Sequence, residues 1–426
     1  MISRLFCFYG DDFTGSTDAL EALAANGVPS VLFLDPPTEE ALAAFPDCRA
    51  IGVAGESRSR EPEWMSAHLP GIFGRLKEFG ASICQYKVCS TFDSSPQTGS
   101  IGRALEIGQE VFTVPFVPVV VAAPHLGRYV LFGNLFAAGG GAVHRIDRHP
   151  TMGNHPVTPM DEADLRIHLG RQTGRKIALL DINTLRDGCA SANLEELAAK
   201  GAQAVIFDGL DDQTLAAAGR LLWNRSAAAP WFAVGSSGMT LALIHHWRSI
   251  GMITPEFTPG IPEPVDRLIV VSGSCSPVTE AQIHWSMANG FAAMRIGARG
   301  SESVPDSALQ ELSAGHSVVL YSALGPRDCV GELRGEELGR TIGLLLRELL
   351  LRSGVRRAVV AGGDTATHSV RRLGIQALTF AGLLAPGAPL CRSHASAGGM
   401  DGIELVLKGG QVGPADFFGM VRRGKA

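Results

Sequence analysis

The sequence predicts an α/β protein of two domains, each with a largely parallel sheet flanked by helices, and a cleft between the domains. Three observations support this fold class. Short apolar runs alternate with longer segments of helical period along the 426 residues, one stretch is rich in proline, and glycine accounts for 51 residues. Alternating strands and helices are typical of parallel sheets covered on both faces. Frequent glycines are typical of the tight turns that connect them.

Two series of strand-like runs follow one another along the chain. The first series comprises residues 5–9, 31–34, 50–53, 117–122, 177–180, 204–207 and 232–234. The second comprises residues 268–271, 318–321, 358–361 and 403–407. Segments of helical period lie between these runs, at 18–25, 279–289 and 336–352 among others. Each series therefore predicts a sheet of its own.

A proline-rich stretch separates the two series. Residues 251–266 contain four prolines and two glycines in sixteen positions, a composition typical of linkers between compact units. We therefore expect an N-terminal domain over residues 1–250, a linker over 251–266 and a C-terminal domain over 267–426. The cleft between two such domains is the expected ligand site.

Composition excludes several classes of partner. The chain has 37 basic and 42 acidic residues, a net charge of −5, and no block of like charges, so we expect neither nucleic acid nor a membrane as partner. The apolar N-terminal run stops at Asp11, too early for a signal peptide. The eight cysteines form no C-x-x-C pair, which is typical of a reduced chain. We expect a cytoplasmic protein, for which small phosphorylated ligands remain compatible.

The loop after the first strand carries two adjacent carboxylates, Asp11 and Asp12. Ligands of parallel sheets bind beyond the carboxyl ends of the strands, where this loop lies. Gly10 and Gly15 have the spacing of a phosphate loop, but Ser16 stands in place of its lysine and carboxylates repel phosphate. Paired aspartates instead suit hydrogen bonds from sugar hydroxyls, Mg²⁺ binding or proton abstraction. The alternative is that one of them merely caps the following helix.

The C-terminal domain has glycine- and serine-rich loops at its strand ends. Such loops before helices let a backbone approach phosphate closely and direct free amides at it. Together they favour nucleotide binding, the alternative being ordinary turns between strands and helices. The residues that we expect to bind the nucleotide are Ser272, Ser274, Gly362, Gly363, Asp364, Thr365, Gly409, Gly410 and Gly413.

The segment 10–18, GDDFTGSTD, resembles the opening signature of the four-carbon acid sugar kinase family, which usually reads ADDFTGA. The Ser272-Gly273-Ser274 turn with Thr279 and Gln282, the 362–365 turn and the 408–413 segment are similar to that family's nucleotide-binding motifs, in the same order. The resemblance spans nearly the whole chain. It implies an ATP-dependent kinase of small sugar acids such as threonate, erythronate or 3-oxo-tetronate. The N-terminal domain would then bind the sugar acid and the C-terminal domain the nucleotide.

One segment departs from the family pattern. Many members have K-x-D-S-T-x-R-G-N, whereas residues 87–95 here read KVCSTFDSS. Lys87 matches, but Cys89 replaces an aspartate and Asp93 replaces an arginine. Exchange of a guanidinium for a carboxylate changes which small acid fits. We therefore keep branched acids of the 3-oxo-isoapionate type beside the straight tetronates.

An acidic substrate requires a cation, and Lys87 and Arg58 both follow predicted strands, as Asp11 does. For Arg58 the alternative is a solvated loop arginine. His155 lies in the segment 144–156, rich in histidine and arginine, which matches no zinc motif. We interpret that segment as a wall or lid over the substrate.

The expected reaction is transfer of the γ-phosphoryl group of ATP to a terminal hydroxyl, with Mg²⁺ on the phosphates and Asp11 or Asp12 as the base. The sequence does not choose between the two aspartates, does not identify the metal ligands and leaves homo-oligomerisation open. A non-catalytic sensor of sugar acid or nucleotide is the alternative from another class. A nicotinamide-dependent dehydrogenase is disfavoured because no strand precedes G-x-G-x-x-G.

Overall fold

The computed structural model describes residues 4–155, 157–226, 229–254, 257–297, 304–328, 335–396 and 398–425, and of Asp364 the backbone alone. The chain divides into two compact units. The first comprises Met1–Ser30 and Pro36–Phe257, and the second comprises Val31–Asp35 and Thr258–Ala426. A five-residue segment from early in the chain thus belongs to the second unit.

The strands β1 to β18 are, in chain order, Phe6–Gly10, Ser30–Phe33, Ala50–Ala54, Ile83–Lys87, Val117–Val120, Arg128–Leu131, Asn134–Gly139, Ala142–Arg145, Ile177–Leu180, Ala204–Phe207, Trp231–Gly235, Ile269–Ser272, Phe291–Arg295, Ser317–Tyr321, Arg357–Ala361, Ala377–Ala385, Ala388–His394 and Glu404–Lys408.

The helices α1 to α14 are, in chain order, Phe13–Ala24, Glu39–Ala43, Pro62–Glu78, Ile101–Phe112, Leu165–Gly170, Ile182–Arg186, Ala190–Ala199, Asp212–Arg225, Ser237–Ser249, Pro277–Ala288, Val304–Ser313, Gly335–Ser353, Gly363–Val370 and Phe417–Arg423.

The first unit is built on a parallel sheet with the strand order β3-β1-β4-β11-β5-β10-β9. Every residue of β1, β3 and β4 is buried, as expected where helices cover both faces of a parallel sheet. In register, Gly10 at the end of β1 lies beside Ala54 of β3 and Lys87 of β4. The loops after these three strands therefore leave the sheet side by side. A separate antiparallel sheet, β6-β7-β8, also belongs to this unit.

The second unit combines parallel and antiparallel strands. Strands β13-β14-β12-β15-β18 run parallel, and β17, β16 and β2 follow antiparallel. Val270, Val359 and Val406 from three central strands pack in its core with Phe417 and Phe418 of α14. In register, Ser272, Ala361 and Lys408 lie side by side at the carboxyl ends of β12, β15 and β18. The three predicted nucleotide loops therefore leave one edge of one sheet.

The predicted α/β class with largely parallel sheets is confirmed. The sequence did not predict the β16–β17 hairpin or the β6-β7-β8 sheet. In β16, ALTFAGLLA, Thr379 and Gly382 interrupt the apolar run, and such runs were the basis of the strand predictions. Strand β8 is short and largely exposed, so its sequence carries no burial pattern.

Two further findings concern the expectations from composition. None of the helices in the described ranges combines the length and apolar character that crossing a bilayer requires. Cys275 is disulfide-bonded. The expectation of a fully reduced chain is therefore wrong at this position.

Candidate functional site

The acidic turn of the first unit, which carries Asp11 and Asp12, begins where β1 ends at Gly10. Asp12 caps α1, since its Oδ1 accepts a hydrogen bond of 2.7 Å from the amide of Gly15. Its Oδ2 accepts another of 3.0 Å from the Thr14 hydroxyl. The helix-capping role that the sequence offered as the alternative is therefore observed for Asp12. Capping uses Oδ1, so Oδ2 can accept hydrogen bonds from other partners.

Arg58 joins the two aspartates. It lies in a short 3₁₀ turn, Ser57–Ser59, after β3. Its Nε and Nη2 donate to the two oxygens of Asp11 at 3.1 and 2.9 Å, and its Nη1 donates to Asp12 Oδ2 at 2.8 Å. All three nitrogens of the guanidinium therefore donate hydrogen bonds to these two carboxylates. A substrate carboxylate would have to compete with both of them.

Burial makes the two aspartates unequal. The side chain of Asp11 is 5% exposed and that of Asp12 is 17% exposed. Burial raises the pKa of Asp11 to about 6, although the charge of Arg58 opposes the rise, and the charge of Asp12 adds to it. Asp11 thus titrates close to neutral pH, a range in which general bases work well. Asp12 is the carboxylate that a ligand reaches more easily.

Lys87 lies beside this turn, at the end of β4, and its side chain is buried. Its Nζ forms an ion pair with Asp18 Oδ2 at 3.2 Å and donates to the Val88 carbonyl at 3.2 Å. A Cβ on Gly15 would lie 3.4 Å from this Nζ and 2.4 Å from Asp12 Oδ1. Glycine at position 15 therefore lets the turn pack between Lys87 and Asp12. An ammonium has three donors, so one is left without a recorded partner in the part of the chain that the structure describes.

Asp93 is buried near the same cluster. The Thr91 hydroxyl donates to its Oδ1 at 2.5 Å. Burial raises the pKa of Asp93, but the charge of Arg58, the Thr91 hydrogen bond and His155 outweigh burial, so the net shift is downward. Asp93 is therefore ionised at neutral pH. The Nδ1 of His155 accepts a hydrogen bond of 3.0 Å from the Thr158 amide.

The structure thus brings Asp11, Asp12 and Arg58 into direct contact. Lys87 adjoins them at Gly15, and Asp93 interacts with Arg58 through its charge rather than through a direct ion pair. All five come from loops or strand ends of the first unit.

In the second unit, two of the three predicted nucleotide loops pack around Thr365. A Cβ on Gly273 would lie 2.2 Å from Thr365 Oγ1, and one on Gly362 would lie 2.9 Å from it. Gly362 also has a φ of 118°, a conformation that other residues rarely adopt. The Ser274 amide donates to Ser272 Oγ at 3.3 Å. These glycines are therefore required for the loops to meet.

The third loop, residues 409–413, joins the same site. A Cβ on Gly410 would lie 2.6 Å from Ser274 Oγ. The Thr279 hydroxyl donates to the Gly410 carbonyl at 2.8 Å, and Gln282 Nε2 donates to the carbonyl of Gly413 at 3.1 Å. Both residues belong to α10, so the three loops converge at the N-terminus of that helix. Helix N-termini attract anions through their free amides.

The remaining predicted residues of this site contribute less contact. Gly363 is the first residue of α13. A Cβ on Gly409 would meet only Val412, at ordinary contact distance. The side chain of Asp364 lies outside the described part of the chain.

Sequence reasoning missed two functional candidates. Asp18, the last residue of the opening signature, pairs with Lys87. Lys408, the first residue of the 408–413 segment, is fully buried and donates to Thr279 Oγ1 at 3.1 Å. Both could have been found from their positions in the sequence, because Asp18 ends the opening signature and Lys408 begins the 408–413 segment.

Comparison with known proteins assigns the two parts of the chain to two different domain families. Residues 6–243 match a family described as a sugar-binding N-terminal domain, and residues 269–418 match one described as a nucleotide-binding C-terminal domain. Crystal structures from Salmonella typhimurium LT2 and Haemophilus influenzae share the fold, with TM-scores of 0.80 and 0.74. The first covers 99% of both chains, and the second covers 97% of this chain and 98% of its own, each at 24% identity.

Curated relatives extend over nearly the whole chain. A 3-oxo-isoapionate kinase from Paraburkholderia graminis is 48% identical, covering 99% of this chain and 94% of its own. A 3-oxo-tetronate kinase from Methylobacterium radiotolerans is 33% identical, covering 96% of each. A 3-oxo-tetronate kinase from Pseudomonas savastanoi pv. phaseolicola is 31% identical, covering 96% and 94%. The chain therefore belongs to the four-carbon acid sugar kinase family, and it is an ATP-dependent sugar-acid kinase.

Proposed function

We propose that this kinase transfers the γ-phosphoryl group of ATP to a terminal hydroxyl of a branched sugar acid of the 3-oxo-isoapionate type. The observation that carries the choice is similarity. The chain is 48% identical to a kinase named for that acid, against 33% and 31% for two kinases named for 3-oxo-tetronate. The replacement of an arginine of the common family pattern by Asp93 supports the same choice, because it changes the charge beside the sugar.

Asp12 is the proposed base. Of the paired aspartates it is the more exposed, so an acceptor hydroxyl reaches it first. In the reaction the hydroxyl proton passes to the Asp12 carboxylate, the hydroxyl oxygen forms a bond to the γ-phosphorus, and the bond from that phosphorus to the β-γ bridging oxygen breaks to release ADP. Arg58 holds Asp12 in place and, through Asp11, balances the local charge.

Lys87 is the proposed partner of the substrate carboxylate, because its ammonium retains one donor. Arg58 has its fork on the two aspartates and acts as a positioning residue. Asp93 is ionised and therefore only accepts hydrogen bonds. We assign it to a sugar hydroxyl, with His155 nearby as a further polar group. This assignment gives Arg58, Lys87 and Asp93 one task each.

ATP is assigned to the converging loops of the second unit. They offer close backbone approach, hydroxyl groups and the N-terminus of α10, which suit phosphate. The described residues contain no group of three or more His, Cys, Asp or Glu side chains that could hold a metal ion. We therefore assign Mg²⁺ to the phosphates of ATP, where the ion neutralises charge that develops during transfer. Use of ATP favours a cytoplasmic location.

The test is a substrate panel. The purified protein is incubated with ATP, Mg²⁺ and, in parallel, 3-oxo-isoapionate, 3-oxo-tetronate, threonate and erythronate, and ADP release is measured. We expect kcat/KM for the branched acid to exceed the others by about tenfold or more, since a pocket shaped for one extra carbon group discriminates by that order. A higher kcat/KM for a straight acid would reassign the substrate. Nucleotide binding without ADP release with any acid would contradict the proposal.

A further inference from the structure

Lys408 is a buried cation with no acidic partner among the side chains that the structure describes. The residue is fully buried, and its Nζ has one polar contact in the described part of the chain, the hydroxyl of Thr279 at 3.1 Å. The other lysine and arginine side chains that are buried in the described ranges are paired. Arg357 is equally buried and forms an ion pair with Glu404 at 2.6 Å, and Lys87 is paired with Asp18. Lys408 therefore differs from them, since no acidic side chain within the described ranges pairs with it.

The described residues placed directly against Lys408 are uncharged. Helix α13 also packs against β18 and carries His368 and Asp364, and the side chain of Asp364 lies outside the described part of the chain. Ala361 lies beside it on β15, Thr279 faces it from α10, and Gly409 follows it in the chain. Burial lowers the pKa of Lys408 to about 7, and no charged neighbour contributes to the shift. At neutral pH the side chain is thus poised between amine and ammonium. A buried ammonium is stable only when an anion or hydrogen-bond acceptors compensate it.

Its position indicates which anion would do so. Lys408 ends β18 at the sheet edge where Ser272 ends β12, and ligands of parallel sheets bind at that edge. Thr279, its hydrogen-bond partner, lies in the first turn of α10, and the same hydroxyl donates to Gly410 in the third nucleotide loop. The uncompensated cation is therefore connected to the place where a phosphate chain is expected.

We propose that Lys408 supplies the buried positive charge for the phosphate chain of the nucleotide, and that nucleotide binding draws one proton from solvent onto its amine. The balance is simple: the neutral amine takes up one proton to become the ammonium, and no other bond changes. The inference rests on the nucleotide binding of the proposed function and adds the residue and the proton linkage to it.

The first experiment is calorimetry of Mg²⁺–ADP binding to the wild-type protein at pH 8, where the phosphates of ADP are fully ionised. Titrations in two buffers with different ionisation enthalpies give the protons taken up per ADP. We expect an uptake approaching one proton. From pH 8 to pH 9 the Kd should rise about tenfold, as linkage to a single proton requires.

Variants assign the proton to its residue. Lys408→Met should abolish the uptake and weaken ADP binding about tenfold or more at pH 7, while Lys408→Arg, which stays charged, should bind ADP without uptake. Lys425→Met is the matched control, because Lys425 is an exposed lysine of the same unit, and it should behave as wild type. Thermal unfolding shows whether each variant is folded.

The outcomes separate this inference from the proposed function. Wild-type protein that binds ADP without proton uptake would overturn the role of Lys408 and leave the kinase proposal standing. Folded Lys408→Met with wild-type affinity and uptake would do the same. Wild-type protein that binds no nucleotide would overturn both. The wild-type measurement is decisive even if the variants fail to fold.

Discussion

The acidic turn of the first unit and the glycine loops of the second differ in whether their charged side chains form ion pairs. In the first unit, cations and carboxylates compensate one another: Arg58 pairs with Asp11 and Asp12, and Lys87 pairs with Asp18. In the second unit, the described loop residues are almost all neutral, and the recorded partner of Lys408 is the neutral hydroxyl of Thr279. A compensated site suits an alcohol that must lose a proton. A site with an unpaired cation suits a polyanion.

This difference in charge pairing has a different consequence in each site: it positions side chains in the first and favours anion binding in the second. Pairing holds the side chains of the first unit at hydrogen-bond distance before any ligand arrives, which is what base catalysis needs. An unpaired buried cation is unfavourable until an anion arrives, so its free energy becomes available for binding. Variants that alter one of the two sites at a time test this difference.

The largest effect is expected from the double variant Asp11→Asn, Asp12→Asn. It should lower kcat about a thousandfold or more, since positioned bases contribute about 10² to 10⁴. The Kd for ADP should stay within about threefold, because the nucleotide loops belong to the other unit. ADP release and calorimetry measure the two quantities. Asp47→Asn, an exposed aspartate of the same unit, is the control, and near-normal turnover in the double variant would refute the base assignment.

Removal of Arg58 should unbalance the acidic turn. We expect wild-type activity to fall as the pH drops through about 6, because protonation of Asp11 weakens its pairing with Arg58, the residue that positions the base Asp12. Arg58 lowers the pKa of Asp11, so Arg58→Gln should move this acidic limb to higher pH and reduce kcat about a hundredfold. A pH–rate profile measures both. Arg60→Gln is the control, since Arg60 pairs with Glu56 instead, and an unshifted limb in Arg58→Gln would contradict the prediction.

A methyl group at Gly273 should damage the second site alone. Its Cβ would lie 2.2 Å from Thr365 Oγ1, so the two loops must separate. We expect the KM for ATP to rise about tenfold and stability to fall by about 1–3 kcal/mol. Gly297→Ala, where a Cβ meets nothing within 4 Å, is the control. A KM for ATP unchanged by Gly273→Ala would show that this contact does not shape the nucleotide site.

Asp93→Asn should give the smallest effect. It keeps the shape and the oxygen that accepts from Thr91 but removes the charge. We expect the KM for the sugar acid to rise about fivefold, the order of one weakened hydrogen bond, with the KM for ATP unchanged. Steady-state kinetics with each substrate varied in turn measure this. An equal change in both KM values would indicate a general structural defect rather than a sugar contact.

Much of the candidate site could be predicted from the sequence because it lies at strand ends. Asp11 and Asp12 follow a buried apolar run, and the Ser272–Ser274 and Gly362–Thr365 turns follow two more, so their place at a sheet edge required only the rule for parallel sheets. The resemblance of segment 10–18 then indicated the chemistry. What the sequence could not predict was which charges pair, since Arg58 and Lys87 had been expected to face a substrate.

By itself, the sequence determined the alternation of strands and helices, the loops that carry chemistry and the family, because apolar periodicity and short motifs are local properties. Only the tertiary structure decided that Arg58, 47 residues from Asp11, would occupy both of its oxygens. It also decided that Lys408 would be buried, with Thr279 as its hydrogen-bond partner and no acidic partner among the described side chains. Strand order brings distant residues together, and burial then changes how their charges behave. Neither is written in the spacing of residues along the chain.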